Sequence, residues 1–389
     1  MGYLNDYIGK GPAQLEAELL GLIKRYNKIR GTYLVVYAST VNKPGVPNIL
    51  DMDDYYTLYD LLRGKDTKNL DLYLETPGGI IEAAEEIARY LHDHFEHIAI
   101  VISGLAKSAG TILTFAGDDI MMTESGSLGP IDAQLKIGRM PISAIDYIEW
   151  VEEKKKEADK NKKLNPFDAI TVSQITPGEL KCVFNSVQYA KDLVVEWLTK
   201  YKFKAWDFTE TRKIKVTDEI RRLRAEEIAE LLTNRGKWRS HGRPIKIKDL
   251  QTLLKIIRID DTPDLAEIVY RIQTVIRLLF DSTNIYKIFA HESGKIFKTA
   301  IQRKEAVQIP LAKKNIGAVD APVNCEKCGK QYLIHFKFEN NPAHDIEIKR
   351  KGAIPYPKNG KLTCSCGFEI DLSGMKNDIE LEVGKKTLL

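Results

Sequence analysis

Between residues 32 and 123, short apolar runs alternate with stretches of helical spacing, and the connections are brief. "TYLVVYAS" (32–39), "LDLYLET" (70–76), "HIAIVISG" (97–104) and "DDIMMT" (118–123) read as strands. Between them, "DDYYTLYDLLRG" (53–64), "GGIIEAAEEIARYLHDHF" (78–95) and "SAGTILTFAG" (108–117) read as helices. Strands joined through helices by short loops form a parallel sheet with right-handed crossovers. The fold class is therefore α/β, built from repeated parallel strand–helix units.

The flanks differ. Residues 12–30 have amphipathic helical spacing, and 142–290 turn largely helical. The expected organisation is an N-terminal helix at 1–31, an α/β body with a helical extension at 32–290, a linker at 291–322 around "QIPLAKKNIGAVDAP", and a cysteine-bearing module at 323–389. With 43% hydrophobic and 29% charged residues in 389, the chain can bury a large core and carry a second module. A net charge of +4 is too mild to argue for nucleic acid. The basic stretch Arg212, Lys213, Lys215, Arg221, Arg222 and Arg224 is interleaved with Asp218, Glu219, Glu226 and Glu227, the pattern of a solvated helix face. No run approaches the roughly 20 apolar residues of a membrane span. The N-terminus is unlike a secretory leader, and Asp6 stands where myristoylation wants Ser or Thr. The expected location is cytoplasmic.

Chemistry concentrates at two strand-to-helix turns. "ETPGG" ends one strand, and Gly78 and Gly79 let the backbone turn with N–H groups facing outward near a helix start. Such fixed amides can hold an oxyanion. The next turn, "AKSAG", presents Ser108. A serine there is either an N-cap or a nucleophile lifted to the rim of the sheet. Neighbouring parallel strands lie about 4.8 Å apart, so the Gly78 and Gly79 amides, Ser108 and the Ala109 N–H would share one edge.

The remaining candidates are cysteines. Cys325-x2-Cys328-Gly329 and Cys364-x-Cys366-Gly367 are two close-spaced thiol arms within about 40 residues, which in an intracellular chain read as metal ligands. The expectation is one structural Zn2+ in a small β zinc ribbon, with "QYLIHFKF" and "DIEIKRKG" as its strands. A closed four-thiolate site offers no position for catalysis, so its expected role is recruitment of a substrate or partner. Cys182, within a helix, is expected in the core.

Taken in order, "LETPGGIIEAAEEIARYL", "AKSAGTILTFAGDDIMM", "SLGPIDAQ" and "GKWRSHGRPI" resemble the serine dehydrogenase proteinases, Clp-fold serine proteases distantly related to ClpP and signal peptide peptidase A. The likeness spans about residues 30 to 250 and leaves out the cysteine module. It implies a Clp/crotonase-like fold, a homo-oligomer and a serine endopeptidase acting on protein or peptide through an acyl-enzyme on Ser108. It also implies Asp132 in "GPIDAQ" as the acid and His241 in "WRSHGRP" as the base. A serine needs a base to take its proton, and the base needs a carboxylate to hold its tautomer.

Alternatives remain at this point. Signal peptide peptidase relatives use a Ser–Lys dyad, and Lys154, Lys155, Lys156, Lys160, Lys162 and Lys163 stand at suitable separations in a very hydrophilic run. Lys107 adjoins the serine, but neighbours at a helix start point apart. His92, His94 and His97 read as surface residues, and His291, His335 and His344 lie where no family block falls. Two other classes are a crotonase-like acyl-CoA enzyme, which needs no serine, and a degenerate scaffold with the ribbon as a binding module.

Overall fold

The apolar runs become strands because both their faces are covered. In β1 (Tyr33–Ser39), Val35 and Tyr37 enter one core layer, while Leu34, Val36 and Ala38 enter the other. β2 (Asn69–Glu75) and β3 (His97–Ile102) alternate in the same way, as the period of two requires. There follow β4 (Leu105–Ala106), β5 (Asp119–Met122), β6 (Ser127–Leu128), β7 (Gln134–Ile137), β8 (Met140–Ser143), β9 (Ile257–Arg258), β10 (Ile285–His291) and β11 (Gly294–Thr299). The main sheet has the order β11-β10-β1-β2-β3-β5-β9. From β1 to β9 the pairings are parallel, while β10 and β11 are antiparallel additions beside β1.

This computed structural model describes residues 2–137, 140–209, 211–300 and 317–388. The chain divides into two units, Met1–Gln302 and Arg303–Leu389. In the first, α1 (Pro12–Arg30) ends on Gly31 in the left-handed region (φ 67°) and packs with the Pro263–Ser282 helix over one sheet face. The N-terminal helix is thus part of the core rather than a separate segment. On the other face lie α2 (Met52–Leu62), α3 (Ile81–His94), α4 (Ala109–Thr114) and the helices Pro177–Trp197 and Asp218–Thr233. α3 buries Ala83, Ala84, Ile87, Ala88 and Leu91, a stripe at helical spacing.

The boundaries expected at 290/291 and 322/323 fall inside paired strands. The β10–β11 hairpin extends the sheet to Thr299, and β12 (Ala318–Asn324) already belongs to the second unit. Residues 301–316 of the expected linker lie outside the described residues. Lys287 of β10 is 1% exposed, with Nζ 2.7 and 2.8 Å from the Asp54 carboxylate and 2.7 Å from the Ile49 carbonyl.

In the second unit, β12, β13 (Gln331–Lys337) and β14 (Ile354–Pro355) form a sheet, and β15 (Lys361–Thr363) pairs with β16 (Glu369–Asp371). "QYLIHFKF" is a strand as expected, but "DIEIKRKG" is not. It lies in a helix, Pro342–Lys351, and a second helix runs from Ser373 to Val383. Among the described residues no helix is long and apolar enough to cross a membrane.

Candidate active site

The carboxyl edge of the parallel sheet brings the two glycine-marked turns together through their backbones. Thr76 N–H donates to the Leu105 carbonyl (2.8 Å) and Lys107 N–H donates to the Thr76 carbonyl (3.0 Å). Gly78 has φ 98°, and a Cβ there would lie 2.7 Å from Ser108 Cβ and 2.6 Å from the Lys107 carbonyl oxygen. Only glycine fits that approach. Ser108 itself has φ 49° and ψ −117°, a region that costs an L-residue on the order of 1–3 kcal/mol. It stands at the N-cap position of α4, yet its side chain makes no capping hydrogen bond. The hydroxyl is therefore presented by a strained turn and not consumed by the helix.

The amides at this edge are not equivalent. Gly78 N–H donates to the Thr76 hydroxyl at 3.2 Å, so it is engaged within its own turn, contrary to its expected part in an oxyanion hole. Gly79 is pressed against Leu50, where a Cβ would lie 2.2 Å from the Leu50 carbonyl oxygen. Leu50 pairs on either side of it, donating to the Gly78 carbonyl and accepting from Ile80 N–H, both at 2.8 Å. Ala109 opens α4, and first-turn amides have no acceptor within their helix.

Asp132 and His241, far apart in sequence, meet. His241 Nδ1 lies 2.8 Å from Asp132 Oδ1, and Gln134 Nε2 donates to Oδ2 at 2.9 Å. The Asp132 side chain is 1% exposed and that of His241 30%. A buried carboxylate accepting at Nδ1 selects the Nδ1–H tautomer and leaves the lone pair on Nε2. Both residues are anchored beside the serine turn. Ala106 pairs with Leu128 in β4–β6, and Leu128 exchanges two 2.9 Å hydrogen bonds with Ile245, just past the histidine.

The lysines of the 154–163 run are paired or exposed. Lys154 pairs with Asp168 (2.7 Å) and Glu157 (3.1 Å), and these partners hold its pKa above the ordinary lysine value. A neutral base requires the reverse. Lys155, Lys156, Lys160, Lys162 and Lys163 are exposed. His97 bonds Asp119 at 3.3 Å at the amino ends of their strands, the opposite edge from Ser108. His92 is not a plain surface residue: it stacks on Tyr201 with Nε2 2.6 Å from the Ala116 carbonyl. His94 Nδ1 lies 2.8 Å from the Tyr90 carbonyl. His291 is buried, and His335 pairs with Asp320 in the second unit at 2.5 Å. His344 lies on the Pro342–Lys351 helix. Lys107, set aside in the sequence as a neighbour pointing away from the serine, has a definite placement: its Nζ donates to the carbonyls of Leu128 (2.7 Å) and Arg243 (3.3 Å).

In the second unit Cys325, Cys328, Cys364 and Cys366 place their sulfurs within 4.8 Å of one another, and none is in a disulfide. Gly329 (φ 72°) and Gly367 (φ 82°) turn the two arms, donating to the Cys325 and Cys364 carbonyls. The four thiols could hold one metal ion. Cys182 is exposed on its helix rather than packed in the core.

Two curated relatives come from Methanocaldococcus jannaschii. The uncharacterized protein MJ0137 is 31% identical over 186 residues, 48% of this chain and 52% of that protein. The uncharacterized protein MJ1495 is 37% identical over 76 residues, 20% of this chain and 25% of that protein. The chain thus spans about half the length of the first and a quarter of the second. Among solved structures, a mutant of the 1510-N membrane-bound stomatin-specific protease aligns with 57% of this chain and 79% of its own at 11% identity and a TM-score of 0.33. A second mutant of that protease, in complex with a substrate peptide, aligns with 64% and 80% at 13% identity and a TM-score of 0.31. The family of ClpP-like SDH-type serine proteinases matches residues 44–188, a segment that contains Gly79, Ser108 and Asp132 but ends before His241. Over residues 44–188 the chain is similar to the ClpP-like SDH-type serine proteinases.

Proposed function

We propose that the chain is an intracellular serine endopeptidase in which Ser108 is the nucleophile, His241 the base and Asp132 the residue that orients the base. The observation that carries this reading is the strained, uncapped Ser108 turn, joined through Leu128 and Ile245 to a histidine whose Nδ1 rests on a buried carboxylate. His241 Nε2 takes the Ser108 proton as Oγ bonds to the peptide carbonyl carbon. The Gly79 and Ala109 amides receive the oxyanion. The C–N bond then breaks, the proton passes from His241 to the departing amine, and water repeats the sequence to release the acyl group. The salt-bridged Lys154 supports the triad over a lysine dyad.

The test is labelling by a fluorophosphonate probe. Labelling of the wild type, lost in Ser108→Ala and strongly slowed in His241→Ala, supports the assignment. Labelling that survives Ser108→Ala overturns it. Binding of acyl-CoA without labelling would instead favour a crotonase-like enzyme, and neither activity would leave a scaffold.

For the cysteine site the fitting ion is Zn2+. Sulfur pairs 3.5 and 3.7 Å apart approach the edge of about 3.8 Å expected for a tetrahedron of roughly 2.3 Å Zn–S bonds. Zinc there would cross-link the unit rather than act on substrate, leaving recruitment of a protein partner as its role. The resemblance to Clp-fold enzymes supports a homo-oligomer, which light scattering would test.

A further inference from the structure

We propose that Lys107 is a positioning residue that clamps the His241 turn onto the strand leading to Asp132, so that the nucleophile's own turn sets where the base stands. The inference rests on the assignment of His241 as base. Lys107 Nζ donates to Leu128 O (2.7 Å) and Arg243 O (3.3 Å). Leu128 lies four residues before the acid and Arg243 two after the base. One ammonium group, attached to the residue before the nucleophile, therefore spans the chain segments that carry the other two members of the site.

The path of the side chain is specific. Lys107 crosses over Gly129 so closely that a Cβ there would fall 2.7 Å from Lys107 Cδ. Lys246 makes the complementary contact from the histidine side, donating to the carbonyls of Ser125 (2.7 Å) and Gly126 (3.0 Å). Lys107 is half-buried, and the partners found for its Nζ are main-chain carbonyls rather than a carboxylate. Burial, with Lys246 adding repulsion, pushes its pKa down to about 8. The native state thus holds this cation against a desolvation cost, so replacing it with a neutral residue of similar length is not expected to unfold the chain.

The experiment compares full-length wild type with Lys107→Met, Lys107→Arg and Gly129→Ala, by hydrogen–deuterium exchange and by the rate of fluorophosphonate labelling. Lys107→Met removes the donors. Gly129→Ala keeps the charge but displaces the stem. Both should raise amide exchange in residues 240–246 by about tenfold or more while the β2 and β3 strands stay protected. Both should slow labelling by roughly 10–100-fold, the effect of a base displaced by about an ångström. Lys107→Arg should restore most of each signal. Because the clamp acts through the base, Lys107→Met with His241→Ala should label no more slowly than His241→Ala alone. Unchanged exchange in 240–246, or additive losses in the double variant, would overturn the proposal. If the wild type is not labelled at all, the peptidase reading falls, and the exchange result still decides whether the clamp exists.

Discussion

Gly78 and Ser108 lie on different strand-to-helix turns, yet a Cβ on the first would come within 2.7 Å of the Cβ on the second. The strained serine conformation is therefore buttressed from outside its own turn. Gly78→Ala should force Ser108 to move, costing roughly 1–3 kcal/mol of stability and most of the labelling activity. Urea denaturation and probe labelling check this. A variant with wild-type values for both would show that the turn accommodates the methyl group.

Ser108→Ala keeps the same positive φ and should leave stability within about 0.5 kcal/mol of wild type. Ser108→Gly relieves the strain at some entropic cost to the native state, and should raise stability by about 1 kcal/mol. Calorimetry of the three proteins separates the two effects. A less stable glycine variant would mean that the turn carries little strain.

Asp132→Asn should preserve the fold but present the wrong imidazole tautomer to the serine. By analogy with other triads the loss is roughly 10⁴-fold in turnover. The measurement is the rate of Ser108 labelling beside Lys154→Met, which should be nearly unaffected. The opposite ranking would transfer the role of base to the lysine.

Metal removal should act on one unit only. With the four thiols within 4.8 Å of one another and a small apolar core of Ile334, Phe336, Tyr356 and Leu372, the second unit should depend on ligation for its stability. Chelation should unfold residues 317–388 and leave 2–300 protected from exchange. Elemental analysis should find about one zinc per chain.

Glu75 supplies a pH test. Burial pushes its pKa up from 4.5 to about 7, only partly opposed by the Tyr73 hydroxyl at 3.0 Å and by Arg277. The folded state then binds more protons than the unfolded chain between those values, so stability falls as pH rises through that window. Glu75→Gln should match wild type near pH 4.5 and exceed it above pH 7, by up to about 3 kcal/mol. A pH-independent difference between the two proteins would contradict this.

The parallel sheet was legible in sequence because its strands are buried on both faces and its loops are short, leaving uninterrupted apolar runs. The β10–β11 hairpin was not, since Lys287 breaks the run and its burial depends on Asp54, some 230 residues away. "DIEIKRKG" misled because Ile346 and Ile348 alternate like a strand, although Asn341-Pro342 is a helix-start signal that would have corrected it. At the site, the serine and glycine turns were visible as turn chemistry, and the Asp132–His241 contact followed from resemblance alone. Lys107 could not be placed from sequence, because its Nζ is held by carbonyls 21 and 136 residues away.

The Ser108 turn is held by neighbouring backbone and by the absence of a side chain at Gly78, and among the described residues no capping bond from its own hydroxyl sustains it. In the proposed peptidase, reactivity and architecture are consequently decoupled at this position. A thiol introduced by Ser108→Cys should sit where the hydroxyl does, changing the leaving-group preference and the susceptibility to oxidants while the scaffold stays the same. The same decoupling means that a descendant of this chain could fall chemically silent through one substitution and retain every surface by which other molecules know it.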